Sequence, residues 1–238
     1  MRLILRFSKE DSLRYISHLD SMRVWEKAFR RSGVSVALSN GYNPRPKLSS
    51  ALPLAVGIAS RGEYLEAELI DDLEPQVIES ALLAALPRGM SILSMHILPY
   101  KSPAIAALVQ LSRFSLQLPQ DDVIIWEQVC DSIMNRKEIF IQRNKGTSRE
   151  ASYDVRPGII ELCTSKYEGY SRLEAVIETS SKLYIRLQDL LDILTAEAGM
   201  PNLHLAQTEP LRLDMGIKKA DQFYSFADYF NATLPMSK

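Results

Sequence analysis

A chain of 238 residues that is 46% hydrophobic and 24% charged can bury a substantial core, which excludes an intrinsically disordered protein. The length exceeds the usual single-domain size, so two domains are expected. Although 28 Lys and Arg against 29 Asp and Glu give a formal net charge of −1, residues 1–62 hold eleven Lys or Arg and four Asp or Glu, a local surplus of seven that points to an anionic partner.

Residues 2–7 alternate like a half-buried strand, with Leu3, Leu5 and Phe7 on one face and Arg2 and Arg6 on the other. A helix is predicted over 17–32, with Ser17 as N-cap, Asp20 at the capping-box position and Gly33 as its stop. Its apolar stripe is Leu19, Met22, Trp25 and Phe29, and Arg23, Lys27, Arg30 and Arg31 share the opposite face at i, i+4, i+7 and i+8. A short strand over 34–38 leads into the loop Ser39-Asn40-Gly41-Tyr42-Asn43-Pro44-Arg45-Pro46-Lys47. Pro44 and Pro46 stiffen that loop and display Arg45 and Lys47 on it. A strand follows over 63–69, with Leu65, Ala67 and Leu69 on one side and Glu66 and Glu68 on the other, where they are expected to pair with Arg2 and Arg6. A second helix over 75–86 starts at Pro75 and buries Val77, Ile78, Ala81, Leu82 and Ala85, and a strand over 92–98 closes the unit. The order is βαββαβ, that of a ferredoxin-like unit.

Lys101-Ser102-Pro103 reads as a hinge, after which the pattern recurs. The elements are a strand within 109–118, a helix over 121–134, a strand over 138–142, a basic Gly-containing turn at 144–149, an extended stretch over 153–157 and a short helix over 159–164. A strand over 173–178, a helix over 185–198 and a last strand over 203–213 complete it. The expected fold class is α+β, with two tandem ferredoxin-like (βαββαβ) units with antiparallel sheets at 1–100 and 104–215, plus a short C-terminal tail at 216–238. The tail carries Phe223, Phe226 and Phe230 at helical spacing and is expected to pack on its own domain rather than on a partner. The longest apolar stretch, 51–59, contains Pro53 and Gly57 and is too short to span a bilayer, so no membrane partner is expected. The opening residues are too brief for a secretory signal, and cytoplasmic residence is the expectation.

Cys130 and Cys163 have no Cys or His at ligand spacing, so no zinc site, redox pair or iron–sulfur cluster is predicted; they read as buried thiols, and neither metal nor cofactor is expected. No nucleophile elbow, Walker sequence or Gly-x-Gly-x-x-Gly is present. His18 is the one histidine that invites chemistry, since it stands at a helix start near Tyr15 and Arg14, although capping or packing is its plainer role. His96 and His204 read as surface or edge positions. The candidate phosphate or RNA site comprises Arg23, Lys27, Arg30, Arg31, Tyr42, Arg45, Lys47 and Arg61, with Tyr42 either stacking on a base or anchoring the loop through its hydroxyl. Asp154 and Arg156, two apart on a strand, form an internal ion pair or a ligand clamp and mark a possible second-domain site.

The strings Leu13-Arg14-Tyr15-Ile16-Ser17-His18-Leu19-Asp20 and Glu26-Lys27-Ala28-Phe29-Arg30-Arg31-Ser32-Gly33, with Tyr42-Asn43-Pro44-Arg45-Pro46-Lys47-Leu48-Ser49 and Gly62-Glu63-Tyr64-Leu65, resemble the radical SAM-linked protein family. Asp154-Val155-Arg156-Pro157 is similar to a shorter signature of the same family. That family is an uncharacterised domain fused to, or encoded beside, radical SAM proteins, often near ribonuclease E/G. The resemblance implies an RNA-related setting and a separate radical SAM partner, and it supplies no reaction. With no Cys-x3-Cys-x2-Cys motif, the chain reads as the stand-alone form, which cannot itself reduce S-adenosylmethionine. The expected function is a non-catalytic accessory that binds RNA or a ribonucleoprotein. The alternatives are a metal-independent endoribonuclease of the CRISPR repeat-processing type, with His18 and Tyr15 moving protons, and a protein-docking adaptor using the aromatic tail.

Overall fold

The computed structural model describes residues 1–98, 101–119, 123–143, 146, 150–167 and 169–233. Its elements in chain order are β1 (Arg2–Lys9), α1 (His18–Ser32), β2 (Leu48–Ser50), β3 (Ala59–Glu68), α2 (Pro75–Ala85), β4 (Met90–Leu98), α3 (Ile105–Leu108), β5 (Leu111–Leu118), α4 (Val123–Asn135), β6 (Phe140–Arg143), β7 (Ala151–Asp154), β8 (Ile159–Tyr167), β9 (Tyr170–Glu178), α5 (Leu187–Glu197), β10 (Leu211–Lys219), β11 (Gln222–Ser225) and α6 (Phe226–Thr233). The chain is mixed α+β with mostly antiparallel strands. No helix among the described residues is long and apolar enough to cross a membrane.

Two compact units form, and they interleave in sequence: the first is Met1–Val109 with Arg212–Ile217 and Tyr224–Lys238, the second Gln110–Leu211 with Lys218–Phe223. Sequence-continuous domains at 1–100 and 104–215 therefore give way to a first unit that takes most of β10 and the whole of α6 from the far end of the chain.

In the first unit the strands run β4-β1-β3-β10, with β2 also paired to β3; β1 is antiparallel to β3 and β4, and β2 to β3. The order β1-α1-β2-β3-α2-β4 follows the predicted βαββαβ. One sheet face carries Leu3, Leu5, Phe7 and Leu65 against Trp25 and Phe29 of α1 and Ile78 and Leu82 of α2. The other face is buried too. Ile4, Tyr64 and Leu98 are covered by Met215, Phe226 and Phe230, so β1 is packed on both faces, with only Arg2 and Arg6 partly exposed, and is not the half-buried strand its alternation suggests. Phe226 and Phe230 of α6 thus pack within the first unit, whereas Phe223 lies in β11, before that helix begins.

Local chemistry explains the boundaries of α1. The Ser17 hydroxyl accepts the Asp20 amide at 3.1 Å and donates to the Asp20 carboxylate at 2.7 Å, while Gly33 ends the helix at φ +76°, a left-handed conformation that costs glycine little. The stripe is displaced from the prediction, since Leu19 is exposed and Ala28 and Ser21 are buried. Likewise Val77 of α2 is exposed. The strand expected over 34–38 is reduced to two isolated bridges, Val36 to Leu69 and Leu38 to Pro46, and the regular edge pairing with β3 falls instead to β2.

In the second unit β5, β9 and β8 pair antiparallel in that order, and β6 and β7 form a separate two-stranded sheet. Trp126, Ile133, Leu173, Ile177, Leu190, Leu191 and Leu194 are buried there. Two predicted elements change. The short helix expected over 159–164 is the strand β8, whose Ile159-Ile160-Glu161-Leu162-Cys163-Thr164 pairs along β9; β-branched residues suit that pleated setting better than a helix. The last strand, expected over 203–213, is β10, shifted toward the C-terminus, while residues 205–207 make a helical turn. The separate β6–β7 hairpin departs from a second plain βαββαβ unit. Most of the basic turn expected at 144–149 falls outside the described residues.

Candidate nucleic-acid groove

Helix α1 and the chain that leaves it build an open groove of about 610 Å³ in the first unit. Arg23, Glu26, Lys27 and Arg30 line it along the helix, and Val34, Ser35 and Val36 continue the wall. Pro46, from the proline-rich loop, closes the far side. The fold places them together because Gly33 reverses the chain at the end of α1, and the bridge from Val36 to Leu69 then holds the return segment beside β3.

The loop itself is closed by backbone and side-chain bonds. The Ser39 amide donates to the Arg45 carbonyl at 2.8 Å, the Arg45 amide donates to the Ser39 hydroxyl at 3.0 Å, and the Lys47 amide donates to the Ala37 carbonyl at 2.8 Å. The Ala37 amide in turn donates to Glu68 of β3 at 2.7 Å. Residues 40–44 project from this stem, all exposed.

The eight sequence-predicted cationic and aromatic residues divide into two groups. Lys27, Arg30 and Arg45 make neither hydrogen bonds through their side chains nor ion pairs among the described residues, so their charge faces solvent. Arg23 is exposed and bonds Asp20 at 2.9 Å, an exposed pair of small net value that a phosphate can exchange with. The Ser17 hydroxyl, followed by Arg23, holds the Asp20 carboxyl below its usual range. Tyr42 is fully exposed and bonds nothing among the described residues, which rules out the loop-anchor reading.

Three members are drawn elsewhere. Lys47 bonds Glu68 at 2.9 Å, Arg61 bonds Glu10 at 2.8 Å, and Arg31 donates to the Ala85 carbonyl, where it satisfies an otherwise open acceptor at the end of α2. Lys47 and Arg61, like Arg23, sit in exposed pairs and would exchange a carboxylate for a phosphate. Arg2 pairs with Glu66 as expected, but Arg6 turns to Asp214 at 3.4 Å and to the Leu213 carbonyl at 3.2 Å.

His18 opens α1, and Tyr15 ends the helical turn before it. Among the described residues neither makes a side-chain hydrogen bond, and the Tyr15 ring instead receives the Arg14 guanidinium at 5.3 Å. Asp154 and Arg156 do not pair either. The Asp154 carboxylate accepts the amides of Ile139 at 2.9 Å and Arg156 at 3.1 Å, and the Arg156 guanidinium donates to the carbonyls of Ile159 and Met134. A turn begins at Arg156, so the two side chains lose the common strand face that spacing of two implies. Cys130 is buried, its thiol pushed up to about 12 by burial, whereas Cys163 is exposed.

A buried polar cluster escaped the sequence reading. Arg212, 1% exposed, donates to Glu63 and to the Leu52 carbonyl, and Lys9, 2% exposed, lies near that pair with its ammonium pKa pushed down by burial. Tyr64 donates to Asp214 at 2.6 Å, and burial raises both groups above their ordinary values. The signal was Leu211-Arg212-Leu213-Asp214-Met215, charges alternating within an apolar strand, but the partners lie about 150 positions earlier in the chain.

Fold and groove define a mixed α+β protein with an open cationic face on a capped helix. Residues 2–187 match the model of the family described as "Uncharacterized protein conserved in bacteria (DUF2344)", and the chain belongs to that family. No curated protein matches the sequence. Among solved structures the chain is similar to one in the "Crystal Structure of a Cbf5-Nop10-Gar1 Complex", at 11% identity and a TM-score of 0.50 over 90% of this chain. It spans 48% of that longer chain, and the likeness concerns the fold alone.

Proposed function

We propose that the protein binds RNA, or an RNA-containing assembly, through the α1 groove, as a non-catalytic accessory to a separate radical SAM enzyme in the cytoplasm. The observation that carries this reading is the state of Lys27 and Arg30. Both stand on the groove wall beside Arg23 and Glu26 and make no ion pair among the described residues, with Asp20 within electrostatic reach of Lys27, and Arg45, on the loop that leads to Pro46, makes none among them either. A cation already paired must give up its partner to bind a phosphate, whereas these three give up only water and counterions. The radical SAM partner rests on the sequence resemblance alone.

Fluorescence anisotropy with a labelled structured RNA at rising salt tests the reading. Three phosphate contacts give a log–log salt slope of about −2 to −3. Lys27→Glu with Arg30→Glu is expected to weaken binding uniformly across sequences and to lower the slope by about two. Affinity indifferent to salt, or retained by the double variant, would sink the proposal.

A further inference from the structure

We infer that the groove takes single-stranded RNA and that Tyr42 is its base-stacking finger; this rests on the reading above and names the substrate class. The argument begins with an anomaly of exposure. Tyr42 has 105% relative accessibility, so its ring is bare of contacts among the described residues, although an aromatic ring gains more from burial than most side chains. The ring does not hang from a loose segment. The Ser39–Arg45 bonds close the loop at its base, the Ala37 and Lys47 bonds tie the stem to β3, and Pro44 and Pro46 restrict the returning limb. Gly41, at φ +136°, supplies the backbone turn immediately before the ring. A loop closed at its base, with a bare aromatic tip, has already met part of the ordering cost of a contact that is not made among the described residues.

The chemistry around the tip selects the occupant. Arg45 follows Tyr42 by three positions and is unpaired, and Pro46 carries the chain directly into the wall of the groove that holds Lys27 and Arg30. An exposed aromatic ring on a loop that runs through Arg45 and Pro46 into a wall carrying Arg23, Lys27 and Arg30 matches a nucleic-acid strand with an unstacked base and its phosphates. A paired duplex keeps its bases stacked inside and offers the ring no face. The hydroxyl makes no hydrogen bond among the described residues, and the Tyr42→Phe variant below separates its contribution from that of the ring face.

The test compares a labelled oligoadenylate single strand with a fully paired duplex of the same length, using the intact chain. Wild type is expected to prefer the single strand. Tyr42→Ala is expected to weaken single-strand binding about 5- to 100-fold, leaving the duplex affinity and the salt slope unchanged, while Tyr42→Phe restores the wild-type value. Since Tyr42 is bare of contacts among the described residues, these variants fold as wild type does. Unchanged affinity in Tyr42→Ala, with loss in Lys27→Glu plus Arg30→Glu, overturns the finger and leaves the groove. Failure of Phe to restore binding overturns the stacking role. Absence of salt-dependent binding by wild type to either RNA overturns both.

Discussion

Arg212 ties together parts of the chain far apart in sequence, and its removal leaves the Glu63 carboxylate buried without its bonded guanidinium. Arg212→Met is expected to cost about 3–5 kcal/mol, and adding Glu63→Leu is expected to recover only part of it, because Lys9, buried beside the pair, then loses its carboxylate, as read from urea unfolding midpoints. Equal losses in the single and double variants would show that packing, and not the pairing, sets the cost. Gly62 makes a steric counterpart. A Cβ at that position would lie 2.4 Å from the Asp214 Cα, closer than atoms approach, so β10 pairs beside β3 only because residue 62 has no side chain. Sequence could place Leu3, Leu5 and Phe7 in a core because alternation is local. It could not match Arg6 to Asp214 or Arg212 to Glu63, because nothing in a single sequence states which distant strand lies alongside.

At the scale of elements, those with their own punctuation were legible. Helix α1 has Ser17 before it and Gly33 after it, α2 has Pro75 in its first turn, and both appear within a residue or so of expectation. A Cβ on Gly33 would meet nothing within 4 Å, so the backbone alone bears the strain of replacement. Gly33→Ala is therefore expected to destabilise by about 1–2 kcal/mol in thermal unfolding. Because Gly33 also lines the groove, the same variant tests whether the reversal after α1 sets the position of Val34–Val36. Misread elements were those whose type is decided by neighbours. Residues 159–164 are short and apolar enough for either conformation, and pairing with β9 decides for a strand; 34–38 looks extended, yet β2 takes the place at the edge of β3. The cationic face of α1 was legible from spacing of three and four, but which members stay free was not, since Glu10, Glu68 and the Ala85 carbonyl come from other segments.

At the scale of the molecule, α6 covers a face of the first unit that would otherwise expose Ile4, Tyr64 and Leu98. A chain ending at Ser225 is expected to bind a hydrophobic dye and to unfold its first unit at a lower temperature; unaltered unfolding would mean that this apolar face does not need its cover. The adaptor reading loses its basis here, because Phe226 and Phe230 are already buried within the unit. Under the same helix, His96 lies 5.5 Å from the Phe230 ring, and burial lowers its pKa below the ordinary 6.5. As pH falls below that value the unfolded chain takes up a proton before the folded one, so stability held above 6.5 is lost as acidification proceeds through the lower folded value. Melting curves from about pH 7 to about 5 are expected to show a smaller acid-induced loss in His96→Leu than in wild type. A parallel decline in the two would exclude His96 as the source.

The interleaving of the units sets the order in which the molecule can be completed. Residues 1–109 leave the ribosome long before β10 and α6, which belong to the same unit. Until then β3 lacks its β10 neighbour, and the apolar surface around Tyr64 stays wet. Such sequence-distant closure is the kind of non-local pairing that slows folding.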